Sequence, residues 1–410
     1  MKEKPEQNTT ENKILPPSGT SFTKGGFPKI AILHDAFLYR GGGERLVTLM
    51  AKSLGADLVS GFFSDGSFDP RELGFTGKMI ALGMPVFAKG LRHAVLKYRF
   101  IHKTKFLSDY DIVIFSGNCL DAIQNIAKTS KNKKPKTVYY CHTPPRYIFD
   151  FRERYIAKFP KWLHSLADKL LDHQAHVYTA QLQQMDHIFT NSENVHTRLM
   201  SFCGVESEVL YPPTDVNHFS PGNKQISKPY FLSFARLSPP KRVDLIVDAF
   251  LQMPDQNLVF TYGKNDPMKS EILAKIAWKS NIKAIESPND DELIRLIQGA
   301  TATIYIPIDE DFGMSPVESM ACGTPVIGVD EWWLRETIVH NKTGKLIWGI
   351  HSGLPLDKGG RGDLVSELKN IIQHTKKEEW VSMRDACILR TQEFSLDSFE
   401  KKLKSSLIHS

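Results

Sequence analysis

The fold is decided by the stretch from Lys29 to Gly55, KIAILHDAFLYRGGGERLVTLMAKSLG. It begins with a short apolar run, Lys29–His34, which is typical of a buried strand. A glycine-rich turn at 41–43 follows, and the residues after it have the apolar spacing of a helix that ends at Gly55. A strand, a glycine turn and a helix in this order predict the first unit of a parallel sheet covered by helices.

The same alternation continues along the chain. Helical stretches such as 160–184 separate further strand candidates at Asp57–Phe63, Asp111–Phe115, Thr137–Cys141 and His187–Thr190. The pattern breaks at Tyr211-Pro212-Pro213, and we interpret 212–228 as a linker. It restarts with a strand at Tyr230–Ala235 and a helix at Val243–Leu251, and later strand candidates are Leu258–Tyr262, Ile282–Ile285, Thr303–Ile306 and Val326–Val329. The sequence therefore predicts an α/β protein with two doubly wound domains facing across a cleft, in which ligands bind beyond the carboxyl ends of the strands.

Composition excludes several classes of protein. The 410 residues suffice for two or three domains, and 41% apolar and 24% charged residues are ordinary globular values. A net charge of +6 is too small for a dedicated nucleic-acid binder, so no nucleic-acid partner is expected. The five cysteines stand alone, which excludes a disulfide scaffold and a CxxC site and favours a reducing compartment.

The first 26 residues are polar and lack the apolar core of a signal peptide. We interpret residues 1–26 as a disordered leader. Because no run of 18 apolar residues occurs, no membrane-spanning helix is expected, and the predicted location is cytoplasmic.

Residues 85–106 contain no acid but carry six basic residues with apolar ones between them: Lys89, Arg92, Lys97, Arg99, Lys103 and Lys105. One interpretation is peripheral contact between 89–105 and an anionic membrane, on the inner face of the plasma membrane. A solvated helix with a buried apolar side, or a cationic wall facing a substrate, explains the same pattern.

Three candidate sites follow predicted strands or precede helices. Gly42 and Gly43 sit before a helix, where glycine allows a ligand to approach backbone N–H groups; a flexible turn is the alternative. His142 follows a strand and is held by two prolines, and a hydrogen-bonded loop histidine is the alternative. Arg236 and Lys241 bracket the turn Ser238-Pro239-Pro240, which suits a diphosphate, although solvated loop charges would look the same.

The most informative run is Glu310-Asp311-Phe312-Gly313-Met314-Ser315-Pro316-Val317-Glu318. Ser315 as N-cap, Pro316 as first helical residue and Glu318 three residues after the cap would form a capping box, and the helix would run over 316–322. In the functional interpretation, carboxylates bind vicinal diols of a sugar and the loop offers backbone N–H groups. Paired acids for glycoside hydrolysis are a rival explanation.

These motifs resemble the family 4 retaining glycosyltransferases, which have the GT-B fold. EDFGMSPVESMACGTPVIG (310–328) is similar to the Glu-x7-Glu motif of that family, and FARLSPPKRVDLIVDAF (234–250) to its diphosphate loop. VLYPPTDVNHF (209–219) resembles its interdomain linker, and GGGE (41–44) its glycine loop. YYCHTPPRY (139–147) resembles bacterial mannosyltransferases that build surface or lipid-linked polysaccharide, including lipopolysaccharide.

The resemblance implies a domain plan and a role for each matched residue. It implies an acceptor-side domain over 27–215, joined by a C-terminal helix at 390–410, and a nucleotide-sugar domain over 216–389. Arg236 and Lys241 would bind the donor diphosphate, and Glu318 the ribose. The donor sugar would be held by residues of the same loop and by the histidine, and the phosphates would meet the glycine loop: Glu310, Phe312, Gly313, Met314, His142, Gly42 and Gly43.

The implied activity is transfer of a hexose, mannose from GDP-mannose, to a glycan or lipid-linked acceptor hydroxyl with retention of configuration. His142, Glu310, Arg236 and Lys241 would be the catalytic set. Arginine, lysine and helix N-termini would neutralise the leaving diphosphate, so no metal and no cofactor besides the donor are expected. A run at 330–337 departs from the glycines usual in the family, which leaves a phosphate role for that loop open. The alternatives are a nucleotide-sugar epimerase or hydrolase with the same fold and a non-catalytic nucleotide-binding scaffold.

Overall fold

The computed structural model describes residues 28–38, 40–127, 134–216, 218–222, 228–308, 310–330, 332–347 and 360–409. The predicted leader at 1–26 lies outside these residues, as do Asp309, Glu331 and Ser410.

Within the described residues, seven parallel strands form the N-terminal sheet. In chain order they are β1 (Ile30–His34), β2 (Asp57–Ser60), β3 (Met79–Ala81), β4 (Ile112–Ser116), β5 (Lys136–Cys141), β6 (His187–Thr190) and β7 (Glu208–Val209). Their order in space is β3-β2-β1-β4-β5-β6-β7. The chain therefore changes direction between β1 and β4, and such a switch opens a crevice at the carboxyl ends of the strands.

The C-terminal sheet has six parallel strands within the described residues. They are β8 (Phe231–Ser233), β9 (Leu258–Tyr262), β10 (Ile282–Glu286), β11 (Ala302–Tyr305), β12 (Val326–Val329) and β13 (Gly344–Ile347), in the order β10-β9-β8-β11-β12-β13. The switch point here lies between β8 and β11. Two doubly wound sheets confirm the predicted fold class.

Helices cover the sheets because their apolar faces need burial. In the N-terminal half they are α1 (Gly42–Leu54), α2 (Lys89–Lys103), α3 (Ile123–Ala127), α4 (Arg152–Ile156), α5 (His164–Leu182) and α6 (Glu193–Cys203). In the C-terminal half they are α7 (Val243–Leu251), α8 (Lys269–Ile276), α9 (Asp290–Gly299), α10 (Met314–Ala321), α11 (Trp332–Thr337), α12 (Gly360–His374), α13 (Lys377–Ser382), α14 (Arg384–Thr391) and α15 (Leu396–His409). None of the helices in the described part of the chain is long and apolar enough to cross a membrane.

Every strand that the apolar runs predict is present, with bounds that shift by up to three residues. Three strands were not predicted: β3, β7 and β13. The first two have three and two residues, and β13 begins with a glycine, so none gives a clear apolar run. Helix α1 begins at Gly42, with Gly41 as N-cap and Gly55 in the left-handed region at its end (φ 60°).

The chain crosses between the two sheets twice, and the two crossings lie side by side. The backbone N–H of Thr214, on the first crossing, donates to the carbonyl of Phe394, on the second (2.8 Å). After the second crossing, α15 packs on the N-terminal sheet, where Leu403 is fully buried with apolar residues of β1 and α1. The last helix of the chain therefore completes the core of the first domain.

We expect Leu403→Ala to destabilise the protein by about 2–5 kcal/mol, because it leaves a cavity in this core. Urea unfolding followed by circular dichroism measures the change. Lys401→Ala, an exposed position on the same helix, serves as the control and should change the free energy of unfolding by less than about 0.5 kcal/mol. A similarly small effect at Leu403 would show that α15 does not pack there.

Candidate functional site between the two sheets

A cavity of about 460 Å³ lies between the carboxyl ends of the two sheets. Loops after β1, β5, β6 and β11 and the start of α1 supply most of its wall. The lining residues are Arg40, Gly41, Gly42, Gly43, Arg45, Leu46, Phe68, His142, Asn191, Pro212, Glu310, Asp311, Phe312, Gly313, Met314, Ser315 and Glu318. Both domains contribute, and eight of the ten residues predicted for the site are among them.

The glycines at the start of α1 let the two domains approach each other. A Cβ atom on Gly42 would lie 3.4 Å from the sulfur of Met314 in the opposite domain. A Cβ atom on Gly43 would lie 3.8 Å from Cε1 of His142. The N-terminus of a 13-residue helix thus opens directly into the cavity, where its N–H groups attract an anion.

His142 belongs to a chain of polar side chains at the ends of adjacent strands. Its Nε2 lies 2.7 Å from Oγ of Ser116, the last residue of β4. The same hydroxyl lies 3.2 Å from Nδ1 of His34, the last residue of β1, and Nε2 of His34 lies 3.3 Å from the Asp35 carboxylate. Burial, and then the neighbouring His34, lower the pKa of His142 to about 4, so this imidazole is neutral at physiological pH.

The chain favours one tautomer of His142. When the ring proton of His34 is on Nε2, where it faces Asp35, Nδ1 of His34 accepts the hydroxyl proton of Ser116. Oγ of Ser116 then accepts from Nε2–H of His142. Nδ1 of His142 is consequently an acceptor, which suits a hydroxyl group of a ligand.

Glu310 and Lys241 form an ion pair at the edge of the cavity. Nζ of Lys241 donates to the Glu310 carboxylate and also contacts the Tyr305 hydroxyl (3.0 Å). Tyr305 is buried, and burial together with the Glu310 charge raises its pKa well above the usual range, so it stays a neutral phenol. The structure therefore brings two predicted site residues, Glu310 and Lys241, into direct contact.

Arg236 lies apart from this group. Its side chain is 76% exposed, with Nε 3.6 Å from the carboxylate of Asp266, and it is not part of the cavity wall. Asp266 is buried and accepts the backbone N–H groups of Leu237 (2.8 Å) and Gly263 (2.9 Å), so it fixes the loop that carries the arginine. The diphosphate role of Arg236 remains a prediction.

The predicted capping box at Ser315 is wrong. Helix α10 begins one residue before it, at Met314, and Gly313 is the N-cap, with no side-chain cap. Gly313 has φ 72°, a left-handed conformation that glycine adopts without strain. This turn lets the chain enter the helix directly from Phe312, and Glu318 is thereby free of a capping role.

Glu318 instead lines the cavity from the second turn of α10. Burial raises the pKa of this carboxyl group to about 7, and the positive charge of Arg45, on α1, opposes the shift. A carboxyl group in a cleft whose pKa is strongly raised by burial has the environment typical of a functional group.

Residues outside the prediction hold the two domains together. Arg198 of α6 donates to the carboxylate of Asp311 (2.5 Å) and to Oγ1 of Thr143 (3.1 Å). Oγ of Ser192 donates to the backbone carbonyl of Asp311 (2.6 Å). A polar residue ends or follows several strands, as His34, Ser116 and Asn191 do. This was the signal available in the sequence for polar side chains at the cleft.

The segment 330–337, which lacks the glycines usual in the resembling family, also contributes to the contact between the domains. The carboxylate of Glu336 accepts the backbone N–H groups of Glu193 (2.8 Å) and Asn194 (3.0 Å) at the start of α6. Burial raises the pKa of Glu336 to about 7. The run thus supplies an acid that joins the domains.

Two Asp-x-Asp triplets occur in the sequence, Asp109-Tyr110-Asp111 and Asp309-Glu310-Asp311. Asp111 accepts the backbone N–H of Lys29 (2.9 Å), and Asp311 is paired with Arg198. Within the residues that the structure describes, no three His, Cys, Asp or Glu side chains are grouped as a metal ion would require.

We expect Glu318→Gln to be more stable than the wild type at pH 8. In the folded protein the pKa of Glu318 is about 7, above its ordinary value of 4.5. The contribution of this group to the free energy of unfolding is therefore fully present below about pH 4.5 and is lost as the pH rises through 7. The gain at pH 8 is at most about 3 kcal/mol and should vanish near pH 4.5. Urea unfolding at both pH values measures it, with the exposed Glu367→Gln as control. Equal stability of variant and wild type at pH 8 would contradict the prediction.

We expect Ser116→Ala to leave His142 without a fixed tautomer. In the wild type, nitrogen NMR of the imidazole should show the proton on Nε2; in the variant both tautomers should be populated. Ser108→Ala, which removes a hydroxyl distant from the cavity in the same domain, should leave the His142 signals unchanged. A proton found on Nδ1 in the wild type would overturn the assignment.

Comparison with known proteins agrees with this geometry. The model of the family Glycosyl transferases group 1 matches residues 217–348, which include the 234–250 loop and the Glu310–Glu318 run. The chain is 26% identical to the alpha-1,3/1,6-mannosyltransferase ALG2 of Mus musculus over 312 residues, covering 68% of this chain and 70% of that protein. It is also 26% identical to ALG2 of Dictyostelium discoideum over 363 residues, covering 77% and 85%.

Solved structures show the same fold. Anabaena HepE, crystallised with UDP and glucose, superposes with a TM-score of 0.66 at 18% identity, covering 93% of this chain and all of that one. Sucrose-phosphate synthase from Thermosynechococcus elongatus gives a TM-score of 0.68 at 14% identity, covering 92% and 98%. With two doubly wound domains and a cavity between them, the chain has the GT-B fold, and the match of residues 217–348 to the Glycosyl transferases group 1 model supports a glycosyltransferase.

Proposed function

We propose that the protein is a retaining mannosyltransferase that moves mannose from GDP-mannose to a hydroxyl group of a glycan or lipid-linked acceptor in the synthesis of a cell-surface polysaccharide. The mannosyl part of the proposal is supported by the names of the ALG2 relatives, which are alpha-1,3/1,6-mannosyltransferases. We also propose that the transfer needs no metal ion. The cations and the helix N-terminus of the site support this, because they can neutralise the leaving diphosphate.

A single observation carries the proposal: the N-terminus of a helix and several hydrogen-bond acceptors line the same cavity. The N-terminus of α1 enters it at Gly42 and Gly43, and Lys241 stands behind Glu310. Glu310, Glu318 and the acceptor nitrogen of His142 offer three hydrogen-bond acceptors to hydroxyl groups. A nucleoside diphosphate sugar complements these groups, because its two phosphates suit the helix N-terminus and Lys241, and its ribose diol and sugar hydroxyls suit the three acceptors.

The Lys241–Glu310 pair gives the donor a specific effect on the site. Without donor, the ammonium group is satisfied by the Glu310 carboxylate and the Tyr305 hydroxyl. A diphosphate that binds Lys241 shares this cation and frees part of the Glu310 carboxylate for a sugar hydroxyl. Phosphate binding and sugar binding are then coupled through one ion pair.

In the proposed reaction, the bond between the anomeric carbon and the donor phosphate oxygen breaks, and a bond from the acceptor oxygen to that carbon forms on the same face. The phosphate oxygen that leaves takes the acceptor proton, so atoms and charge balance. Lys241 and the N–H groups at the start of α1 stabilise the negative charge that develops on the leaving diphosphate. Glu310 and Asp311 are both engaged by cations, Lys241 and Arg198, which suits binding rather than nucleophilic attack.

The experiment is a donor and acceptor screen of the purified protein in EDTA. GDP-mannose is compared with GDP-fucose, UDP-glucose and ADP-glucose by thermal shift, and transfer to glycan and lipid-linked acceptors is then assayed with GDP-mannose. Transfer of mannose with retained configuration is the expected result. A strict requirement for a divalent metal, an inverted product, or free nucleotide without an acceptor would overturn the proposal.

We expect Lys241→Ala to weaken donor binding by about 1.5–3 kcal/mol, as for a lost hydrogen bond to a charged group. Calorimetry with GDP-mannose measures the change. Lys275→Ala is the matched control, because this lysine is similarly exposed and pairs with Asp248 (3.1 Å) away from the cavity. Unchanged donor affinity in Lys241→Ala would refute the diphosphate role of this residue.

A further inference from the structure

Helices α4 and α5 form a hairpin on the N-terminal domain. Arg152, the first residue of α4, donates from Nε to the Asp168 carboxylate (2.7 Å), and its Nη1 lies 2.8 Å from that of Asp172. Because these acids lie in the second and third turns of α5, the two helices run in opposite directions. The segment 157–163 that joins them is therefore the tip of the hairpin.

The outer side of this hairpin is apolar and uncovered. Tyr155 and Phe159 are each 38% exposed, Leu166 and Leu170 are each 54% exposed, and Trp162, at the tip, is 80% exposed. The first residue of α5 that is buried is Leu171, so the start of the helix contributes nothing to the core. A cluster of five large apolar side chains that are exposed to solvent is typical of an interaction surface.

The charge around the cluster is positive. Arg154, Lys158, Lys161 and Lys169 are exposed beside the apolar side chains. Asp168 and Asp172 both pair with Arg152, and Glu153 is the third acid of residues 152–172, so five basic and three acidic side chains leave this segment with a net charge of +2. A surface with an aromatic tip and a cationic rim is complementary to an anionic bilayer, where tryptophan occupies the interface and lysine reaches the phosphate groups.

We propose that the α4–α5 hairpin is a membrane-docking surface, whose tip inserts among the head groups of anionic phospholipids. The hairpin joins the cavity through the loop 143–151, which leads directly from His142 to Arg152. Docking therefore places the reaction cleft next to the bilayer, although the docking itself does not depend on the donor or on the reaction.

The predicted membrane segment 89–105 contributes less free charge than its sequence indicates. Arg99 donates to the carbonyl of Gly61 (2.9 Å), Lys103 donates to that of Leu82 (3.0 Å), and Lys97 lies 3.8 Å from the Asp121 carboxylate. Asp121 also accepts from Gln181 of α5, so α2 is a neighbour of the hairpin helix. Its exposed Leu91 and Tyr98, together with Met84 and Phe87 just before the helix, make it a second candidate that the experiment must separate from the first.

The test is co-sedimentation of the full chain with vesicles of phosphatidylcholine alone and with added phosphatidylglycerol. We expect the wild type to bind the anionic vesicles and to lose binding at high salt. Phe159→Ser/Trp162→Ser/Leu166→Ser should reduce binding at least tenfold, and Lys158→Glu/Lys161→Glu should abolish the preference for anionic vesicles. Trp278→Ser, which removes a 95% exposed tryptophan from the other domain, is the matched control and should bind as the wild type does.

Several results would overturn the proposal. One is absence of wild-type binding to anionic vesicles; another is full binding by the triple variant together with loss of binding in Leu91→Ser/Tyr98→Ser, which would place the docking surface on α2. A third is a triple variant that changes a dimer to a monomer in sedimentation equilibrium, which would make the surface an interface between copies of the chain. Because the substituted side chains are exposed, unchanged circular dichroism is expected, and donor binding by the variants separates this proposal from the proposed function.

Discussion

The contact between Asp311 and Arg198 is the constraint on which the candidate site depends. Asp311 stands between Glu310, which faces Lys241, and Phe312, which packs against Tyr211 and Phe394 at the two chain crossings. Each residue of this tripeptide thus contacts a different part of the molecule: Glu310 the lysine, Asp311 the opposite domain and Phe312 the two chain crossings. The position of Glu310 in the cavity follows from its neighbours.

The ion pair is supported by the groups around it. Burial raises the pKa of Asp311, and the charge of Arg198 opposes that shift, so the guanidinium stabilises the ionised form of the carboxylate. Removing one partner of such a pair leaves an uncompensated charge, which costs more than the pair contributes to stability. Ser192 and Glu336 bind backbone groups on either side of the interface, so the contact is a network of several bonds. Separation of the domains would break these bonds together.

Local patterns predicted the fold well because its strands are short, apolar and buried on both faces. The strand Val326–Val329 and the helix Val243–Leu251 were predicted with their actual bounds, since glycine, proline and charged residues punctuate both ends. The start of α10 was not, because Ser315 and Glu318 have the spacing of a capping box. The left-handed turn at Gly313 begins the helix one residue before Ser315, and a Cβ atom at this position would lie 3.0 Å from the ring of Tyr305 on β11, a neighbour that the capping pattern does not take into account.

The candidate site was predictable in its residues and less so in its bonds. Glu310, Glu318 and His142 could be proposed from motifs, since each follows or opens an element at the cleft. The chain from Asp35 through His34 and Ser116 depends on β1, β4 and β5 lying side by side, an order that differs from their order in sequence. Arg198 likewise meets Asp311 only once the two domains face each other.

The cavity also shows why a site of this kind costs stability. It holds Glu318 in an environment where ionisation is unfavourable, which costs stability as the pH rises toward 7, and it lowers the pKa of His142 to about 4, which costs stability only below about pH 6.5. Both groups line the cavity, and a ribose diol that donates to Glu318 would lower the pKa of this carboxyl group again. Binding would then recover the free energy that folding spent on the carboxylate. The domain contacts through Asp311 and Glu336 hold the two domains on either side of the cavity, so the same interface that joins the domains also shapes the cavity.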